Sequence, residues 1–166
     1  MNRALAAAGS AGFFLLAPGT VAGLGPWAVT RWRLPPDPRP LLWAPGAVLL
    51  ALGLMGLVAC FIRFAWHGRG TPAPIAPPTR LMVGGLYRWV RNPMYVAIMG
   101  MLTGQAMIFA SPPALAYAGA IFLMFHIWTV TFEEPQMRGL FPEDFAAYSA
   151  AVPRWIPRLT PWNGNP

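Results

Sequence analysis

The sequence predicts an all-α fold, a polytopic membrane helix bundle of about four spans followed by a short C-terminal amphipathic helix. Hydrophobic residues make up 56% of the 166 residues and charged residues only 10%, against roughly 25% charged residues in soluble domains. Three long stretches contain no Asp, Glu, Lys or Arg. A chain of this size has too little interior to hide that apolar surface from water, so we expect it to lie in a bilayer.

The spans follow from the lengths of the uncharged stretches. These stretches are residues 4–30, 40–62 and 92–132, and they are 27, 23 and 41 residues long. A spanning helix needs about 20 apolar residues, so the third stretch holds two helices. Ser111-Pro112-Pro113 divides it, because paired prolines end one helix and begin the next. The predicted spans lie near 5–29, 41–63, 94–110 and 113–132, and the last two form a tight hairpin.

The first predicted span has a second interpretation. Arg3 followed by an apolar stretch with small residues is also typical of a cleaved signal peptide. The stretch is long for such a peptide, and its prolines and glycines suit a kinked membrane helix.

All twelve basic residues are arginines, and they flank the apolar stretches. Because they form no stripe with polar neighbours, we expect contacts with membrane lipids and no binding of nucleic acid. With a cytoplasmic N-terminus, nine arginines lie inside and three outside, as the positive-inside rule requires. The inner set is Arg3, Arg63, Arg69, Arg80, Arg88, Arg91, Arg138, Arg154 and Arg158. Cys60 is a lone cysteine inside an apolar stretch, and no Cys/His spacing predicts a metal site.

A short amphipathic helix is predicted after the last span. Pro142 followed by two acidic residues is typical of a helix start. Apolar and aromatic residues then recur three or four positions apart, at Phe141, Phe145, Tyr148 and Val152. This helix should lie with one face on the membrane or on the bundle.

The segment "YRWVRNPMY", residues 87–95, concentrates polar chemistry at the start of the third span. Asn92 is a preferred N-cap and Pro93 is favoured at the first helical position. The free N–H groups of that helix start, together with Arg91, predict a site for a carboxylate or a phosphate. Arginines at a cytoplasmic helix start also obey plain topology rules, which is the simpler interpretation.

Glu133 and Glu134 follow the fourth predicted span. A helical hairpin brings the end of that span to the membrane face where the third span begins. We therefore expect the two acids to lie near Arg91 and Asn92, either in a salt bridge to Arg91 or Arg154 or in a ligand site.

A pocket with anionic, cationic and apolar walls fits S-adenosylmethionine, which carries a carboxylate, an ammonium, a sulfonium and a flat adenine. Tyr87, Trp89 and Tyr95 are candidates to face the sulfonium or the ring. A phospholipid headgroup meets many of the same demands, so charge alone leaves both ligands open.

Three motifs in order, "GGLYRWVRNPMY", "EEP" and "LFPEDFAAYSAAVPRWIP", resemble the isoprenylcysteine carboxyl methyltransferase family, whose wider superfamily includes phospholipid N-methyltransferases. The resemblance covers about residues 64–160. It implies an integral-membrane enzyme that uses S-adenosylmethionine without a metal and holds it in the C-terminal region. The length of 166 residues predicts a single domain over 1–166, with an N-terminal two-helix part (1–63) and a cofactor-binding catalytic part (64–160).

The resemblance also implies the site residues. The cofactor-binding set is Tyr87, Arg91, Asn92, Pro93, Tyr95, Glu133, Glu134 and Arg154, and the catalytic set is Arg91, Glu134 and Tyr148. Asn92 stands where many members have His, which removes a titratable group and keeps a capping side chain. In the tail, Pro142 replaces a common Gly, and Phe145 replaces a common Tyr and loses its hydroxyl.

The predicted reaction is methyl transfer to a lipophilic substrate at the cytoplasmic edge of a bacterial inner membrane. A carboxylate or thiolate acceptor needs no general base, whereas an amine must first lose a proton, for which Glu134 or Tyr148 are candidates. A membrane reductase of sterol-like substrates with a nicotinamide cofactor and a non-enzymatic membrane scaffold are the alternatives. For His126, inside the fourth span, a hydrogen bond near Gln105 is the plainer expectation.

Overall fold

Helices are the only regular secondary structure in residues 12, 16–36, 39–67 and 81–164, the part of the chain that this computed structural model describes. The predicted all-α class is therefore confirmed. The α-helices, numbered in chain order, are α1 Gly25–Thr30, α2 Pro40–His67, α3 Pro93–Ile108, α4 Pro112–Trp128, α5 Glu134–Leu140 and α6 Pro142–Ala151. A π-helical turn precedes α1 (Thr20–Leu24), another precedes α5 (Thr129–Glu133), and a 3₁₀ turn (Gly85–Arg88) precedes α3.

Two helical segments are long and apolar enough to cross a membrane, Leu41–Arg63 and Pro112–Leu140. They coincide with the second and fourth predicted spans. The third predicted span appears as the shorter apolar helix Pro93–Ile108. Of the first predicted span, residues 16–30 are helical, while 5–11 and 13–15 lie outside the described residues.

Helices α2 and α3 pack antiparallel through glycines. A Cβ on Gly104 would lie 2.5 Å from the carbonyl oxygen of Gly46, and a Cβ on Gly53 would lie 2.5 Å from that of Ala97. Gly100 and Gly104 are spaced as GxxxG, the pattern that lets two membrane helices bring their backbones close together. The contact places the C-terminal end of α2 beside the N-terminal end of α3.

The α3–α4 hairpin turns at the predicted prolines. Helix α3 ends at Ile108, and the hydroxyl of Ser111 accepts a hydrogen bond from the backbone N–H of Ala114 (3.3 Å), with Pro112 at the first helical position. One face of the continuing helix is buried against the bundle: Ala114, Ala118, Phe125 and Thr129. Leu115 and Leu123 on other faces are each 57% exposed, as expected for side chains in contact with lipid.

Both π-helical turns lie directly before a helix whose second residue is proline, Pro26 in α1 and Pro135 in α5. Proline has no N–H to donate, and its ring clashes with the carbonyl four residues earlier. A wider turn removes that conflict without ending the helix. The helix therefore continues through Glu133 and Glu134 to Leu140, beyond the predicted end of the fourth span at 132.

Helix α6 forms a second small core, as its spacing predicts. Phe145, Tyr148 and Val152 are buried, and they pack against Leu81, Val83 and Trp162 among others. The predicted amphipathic helix thus covers the segment that leads into α3 and the tail that follows α6.

The hydrogen bond predicted between His126 and Gln105 is wrong. Gln105 donates instead to the carbonyl of Ala22 (2.8 Å), which attaches the turn before α1 to α3. His126 accepts at Nδ1 from the indole of Trp155 (3.1 Å) in the C-terminal tail. His126 and Gln105 cannot bond to each other because they lie toward opposite ends of the antiparallel hairpin.

The glycine contact between α2 and α3 can be tested with Gly104→Ala. The added methyl group has no room against the backbone of Gly46 and Leu50, so we expect a loss of about 1–3 kcal/mol in the free energy of unfolding. Thermal or denaturant unfolding in detergent measures it. Gly119→Ala in α4 is the matched control, because no atom lies within 4 Å of its Cβ position. An equal loss in both variants would contradict the packing role.

Candidate functional site

The segment before α3 is joined to the C-terminal tail, residues 153–162. Three backbone hydrogen bonds make the connection: Arg91 to Pro153 (2.9 Å), Arg158 to Trp89 (2.8 Å) and Trp162 to Arg88 (2.9 Å). Asn92 does precede α3, but its side chain does not cap the helix and donates instead to the carbonyl of Arg154 (3.2 Å). The predicted N-cap thus serves as a cross-link to the tail.

Glu134 lies at the centre of an ion cluster. Its Oε1 contacts Arg91 Nη1 (3.0 Å) and Arg154 Nε (2.6 Å), and its Oε2 contacts Arg154 Nη2 (3.0 Å). The carboxylate side chain is 8% exposed, against 13% for Arg91 and 28% for Arg154. A third arginine, Arg138, reaches it at 3.8 Å but is mostly in solvent. The expected proximity of the acidic pair to Arg91 is confirmed.

The pKa values of Arg91 and Arg154 change in opposite directions in this partly buried cluster. Burial lowers the pKa of Arg91, although Glu134 opposes the change. The hydrogen bonds that Arg154 donates to Glu134 raise the pKa of Arg154, which is more exposed. Both guanidinium groups stay charged at neutral pH, so one carboxylate balances two cations in a partly dry site.

Glu133 has a different environment from its neighbour. Its Oε1 accepts a hydrogen bond from the Tyr95 hydroxyl (2.6 Å), and its Oε2 accepts one from the Thr129 hydroxyl (3.1 Å). No ion pair to Glu133 occurs among the described residues. The π-helical turn lets two consecutive acids reach inward partners, Tyr95 for Glu133 and Arg91 for Glu134.

Two tyrosines connect α6 to the segment before α3. The Tyr148 hydroxyl donates to the backbone carbonyl of Tyr87 (2.7 Å). Burial raises the pKa of both phenols, so neither loses its proton near neutral pH. Tyr148 therefore holds α6 in place, whatever further role it has.

Aromatic rings form one wall beside Glu133. Tyr95 stacks on Phe125 with ring centroids 4.3 Å apart, and Trp155 lies 6.4 Å from Tyr95. Trp155 also meets Phe122 edge-on at 5.3 Å. Such a wall suits a flat ring or a cation.

The structure brings the predicted site residues to one end of the hairpin. Arg91, Glu134 and Arg154 form one cluster, Tyr95 and Glu133 form another, and Tyr87 lies against Tyr148. Asn92 and Pro93 stand at the start of α3 between these groups. Sequence reasoning did not find Thr129 or Trp155. A hydroxyl four residues before Glu133 is a usable signal for Thr129, whereas nothing in the sequence pairs Trp155 with His126.

A family model for phospholipid methyltransferase matches residues 42–144. The chain belongs to the phospholipid methyltransferase family. No curated protein and no solved structure matches it.

Membership in the phospholipid methyltransferase family makes the chain a membrane methyltransferase and confirms the superfamily to which its motifs are similar. The match spans most of α2, all of α3 to α5 and the start of α6. It therefore includes Arg91, Glu133 and Glu134, while Tyr148 and Arg154 lie beyond it. Methyl transfer is favoured over nicotinamide-dependent reduction and over a scaffold role.

The ion cluster of this methyltransferase can be tested with Glu134→Gln. Removing the carboxylate charge leaves Arg91 and Arg154 as like charges in a partly buried site, so we expect a loss of about 3 kcal/mol in the free energy of unfolding. Glu143→Gln, at an exposed position in α6, is the control and should change stability by less than about 0.5 kcal/mol. Denaturant unfolding that gives similar values for the two variants would contradict a structural role for the cluster.

Proposed function

We propose that the chain transfers a methyl group from S-adenosylmethionine to a lipophilic substrate at the cytoplasmic edge of a membrane, in the manner of isoprenylcysteine carboxyl methyltransferases. The observation that carries the proposal is Glu133. It is a carboxylate held by two neutral hydroxyls at the base of a membrane hairpin, next to an excess of guanidinium groups. Because no arginine among the described residues pairs with this carboxylate, it can contact a cationic ligand.

The residues present fit a zwitterionic cofactor. Glu133 and the ring of Tyr95 are suited to an ammonium or a sulfonium. The Nε atom of Arg91 is buried and has no hydrogen-bond partner, so the positive side of the site retains donor capacity beyond the contact with Glu134. The start of α3 at Asn92 and Pro93 adds backbone N–H groups that favour an anion.

Bound S-adenosylmethionine would supply an activated methyl group on a sulfonium. The chain then has to orient the two reactants and exclude water, and alignment of that kind supplies roughly 7–11 kcal/mol of a barrier. Tyr95 and Phe125, stacked on each other, provide a rigid wall for this purpose. The exposed apolar surface of α4 allows a lipid tail to approach from within the bilayer.

An amine acceptor requires a group that accepts its proton. Of the sequence-predicted candidates, Glu134 is engaged with two arginines, and Tyr148 is buried and donates to a carbonyl. Glu133, next to the aromatic wall, has fewer competing charges. Carboxylate and thiolate acceptors need no such group, so the chain's polar residues support all three acceptor types.

The proposed cellular site is a bacterial inner membrane with the catalytic end facing the cytoplasm. Arg63, Arg88, Arg91, Arg154 and Arg158 all lie at or near that end of the described helices, whereas Arg31 and Arg33 follow α1 at the other end. This asymmetry supports the orientation by the positive-inside rule.

Direct titration with S-adenosylmethionine tests the proposal. Glu133→Gln keeps the size of the side chain and one oxygen that can accept from Tyr95 or Thr129 but removes the charge, so we expect about tenfold weaker binding or more. Arg91→Ala should also weaken binding, and unfolding curves would show how much of that loss is structural. Arg33→Gln, an exposed position at the other end of the bundle, should bind like the wild type.

Undiminished affinity in both site variants would defeat the assignment. A wild-type protein that binds a nicotinamide cofactor and not S-adenosylmethionine would favour the reductase alternative, and one that binds neither would favour a scaffold. The acceptor is then identified by lipid profiling of a deletion strain, which should accumulate species lighter by one methyl group.

A further inference from the structure

Arg63, the first charged residue after the uncharged stretch of α2, lies against the glycine turn that precedes the site. Its guanidinium occupies the position that a Cβ on Gly84 would fill, and its Cδ would lie 3.2 Å from a Cβ on Gly85. Gly85 also has φ +62°, a conformation that favours glycine. The two glycines thus leave room for the Arg63 side chain. A residue with a side chain at position 84 or 85 would displace it.

Arg63 has no acidic partner among the described residues, where every ion pair involves Glu134. Its Nε is buried and makes no hydrogen bond. An arginine at a membrane edge normally extends its head group into water, where each N–H is solvated. The Arg63 side chain instead lies over the glycine turn, and its buried Nε donates no hydrogen bond. The positive-inside rule alone does not explain this conformation.

The ion pairs at the site also point to Arg63. Arg91 and Arg154 both contact Glu134, whereas Arg63 contacts no carboxylate among the described residues. Glu133, held by two hydroxyls, and Arg63 are thus two groups of opposite charge that form no ion pair in the described part of the chain. A zwitterionic ligand needs one group of each sign.

The end of α2 packs beside the residues that surround Glu133. Tyr95 packs against the core cluster that includes Phe61, two residues before Arg63, and the Tyr95 hydroxyl donates a hydrogen bond to Glu133 (2.6 Å). The glycine turn that Arg63 covers continues to Tyr87, whose backbone N–H donates to the carbonyl of Gly84 (3.3 Å). Arg63 and the acidic pair therefore border the same end of the bundle.

We propose that Arg63 is a cofactor-binding residue that takes the carboxylate of S-adenosylmethionine, while Glu133 faces the cationic part of the same molecule. The inference rests on the proposed function and adds a residue that the sequence motifs do not include. Arg91 and Arg154 keep their contacts with Glu134 when Arg63 takes this role. Ligand binding by Arg63 requires Gly84 and Gly85, because a Cβ at either position would crowd its side chain.

The test compares S-adenosylmethionine with its decarboxylated analogue by calorimetric titration of the purified protein. Arg63→Gln should weaken binding of S-adenosylmethionine about tenfold or more, because a charge-assisted contact is lost. It should leave binding of the analogue unchanged. Arg63→Lys should retain part of the preference for the carboxylate. Gly84→Ala should reproduce the selective loss with the arginine still present, because the new Cβ displaces it.

Arg33→Gln is the control for total charge and should change neither affinity. The same factor of loss for both ligands in Arg63→Gln, or no loss for either, would overturn the role of Arg63 and leave the proposed function standing. A wild-type protein that binds neither ligand would instead overturn the proposed function, and this inference with it.

Discussion

The contact between Glu134 and two arginines fixes the geometry on which the rest of the site depends. It joins three parts of the chain that are distant in sequence, the segment before α3, the helix that continues from α4 and the tail after α6. Coulombic attraction is much stronger in a partly dry environment than in water. The same dryness makes each of these charges costly without its partner. The cluster therefore specifies one arrangement of the three segments.

Much of the fold follows from the sequence because membranes impose simple rules. The uncharged stretches predicted α2, α3 and α4, and the paired prolines predicted the turn of the α3–α4 hairpin. The hairpin then brought the acidic pair to the end of the bundle where Arg91 lies, and Glu134 makes the central contact of the site. The amphipathic spacing of α6 was equally informative, since Phe145, Tyr148 and Val152 are the buried residues of its core.

Other features depend on contacts that no local pattern encodes. Asn92 has the type and position of an N-cap, yet its side chain bonds to the backbone of Arg154 because the tail passes there. His126 finds Trp155 and not Gln105, since the latter lies nearer the other end of the hairpin and bonds to the turn before α1. The position of Arg63 depends on how closely α2 and α3 approach each other. Glycines elsewhere on the two helices, such as Gly53 and Gly104, set this interhelical distance.

Pro135 has a consequence for how the site is prepared for its ligand. The wide turn before it exists because a proline ring cannot be accommodated in a regular α-helical ladder. The turn therefore sets the backbone positions of Glu133 and Glu134, and hydrogen bonds and ion pairs within the protein hold both carboxylates when no ligand is bound. A preorganised carboxylate loses little conformational freedom on binding, so more of the interaction energy remains for affinity. The π-helical turn thus keeps the Glu133 carboxylate in one position before the ligand arrives.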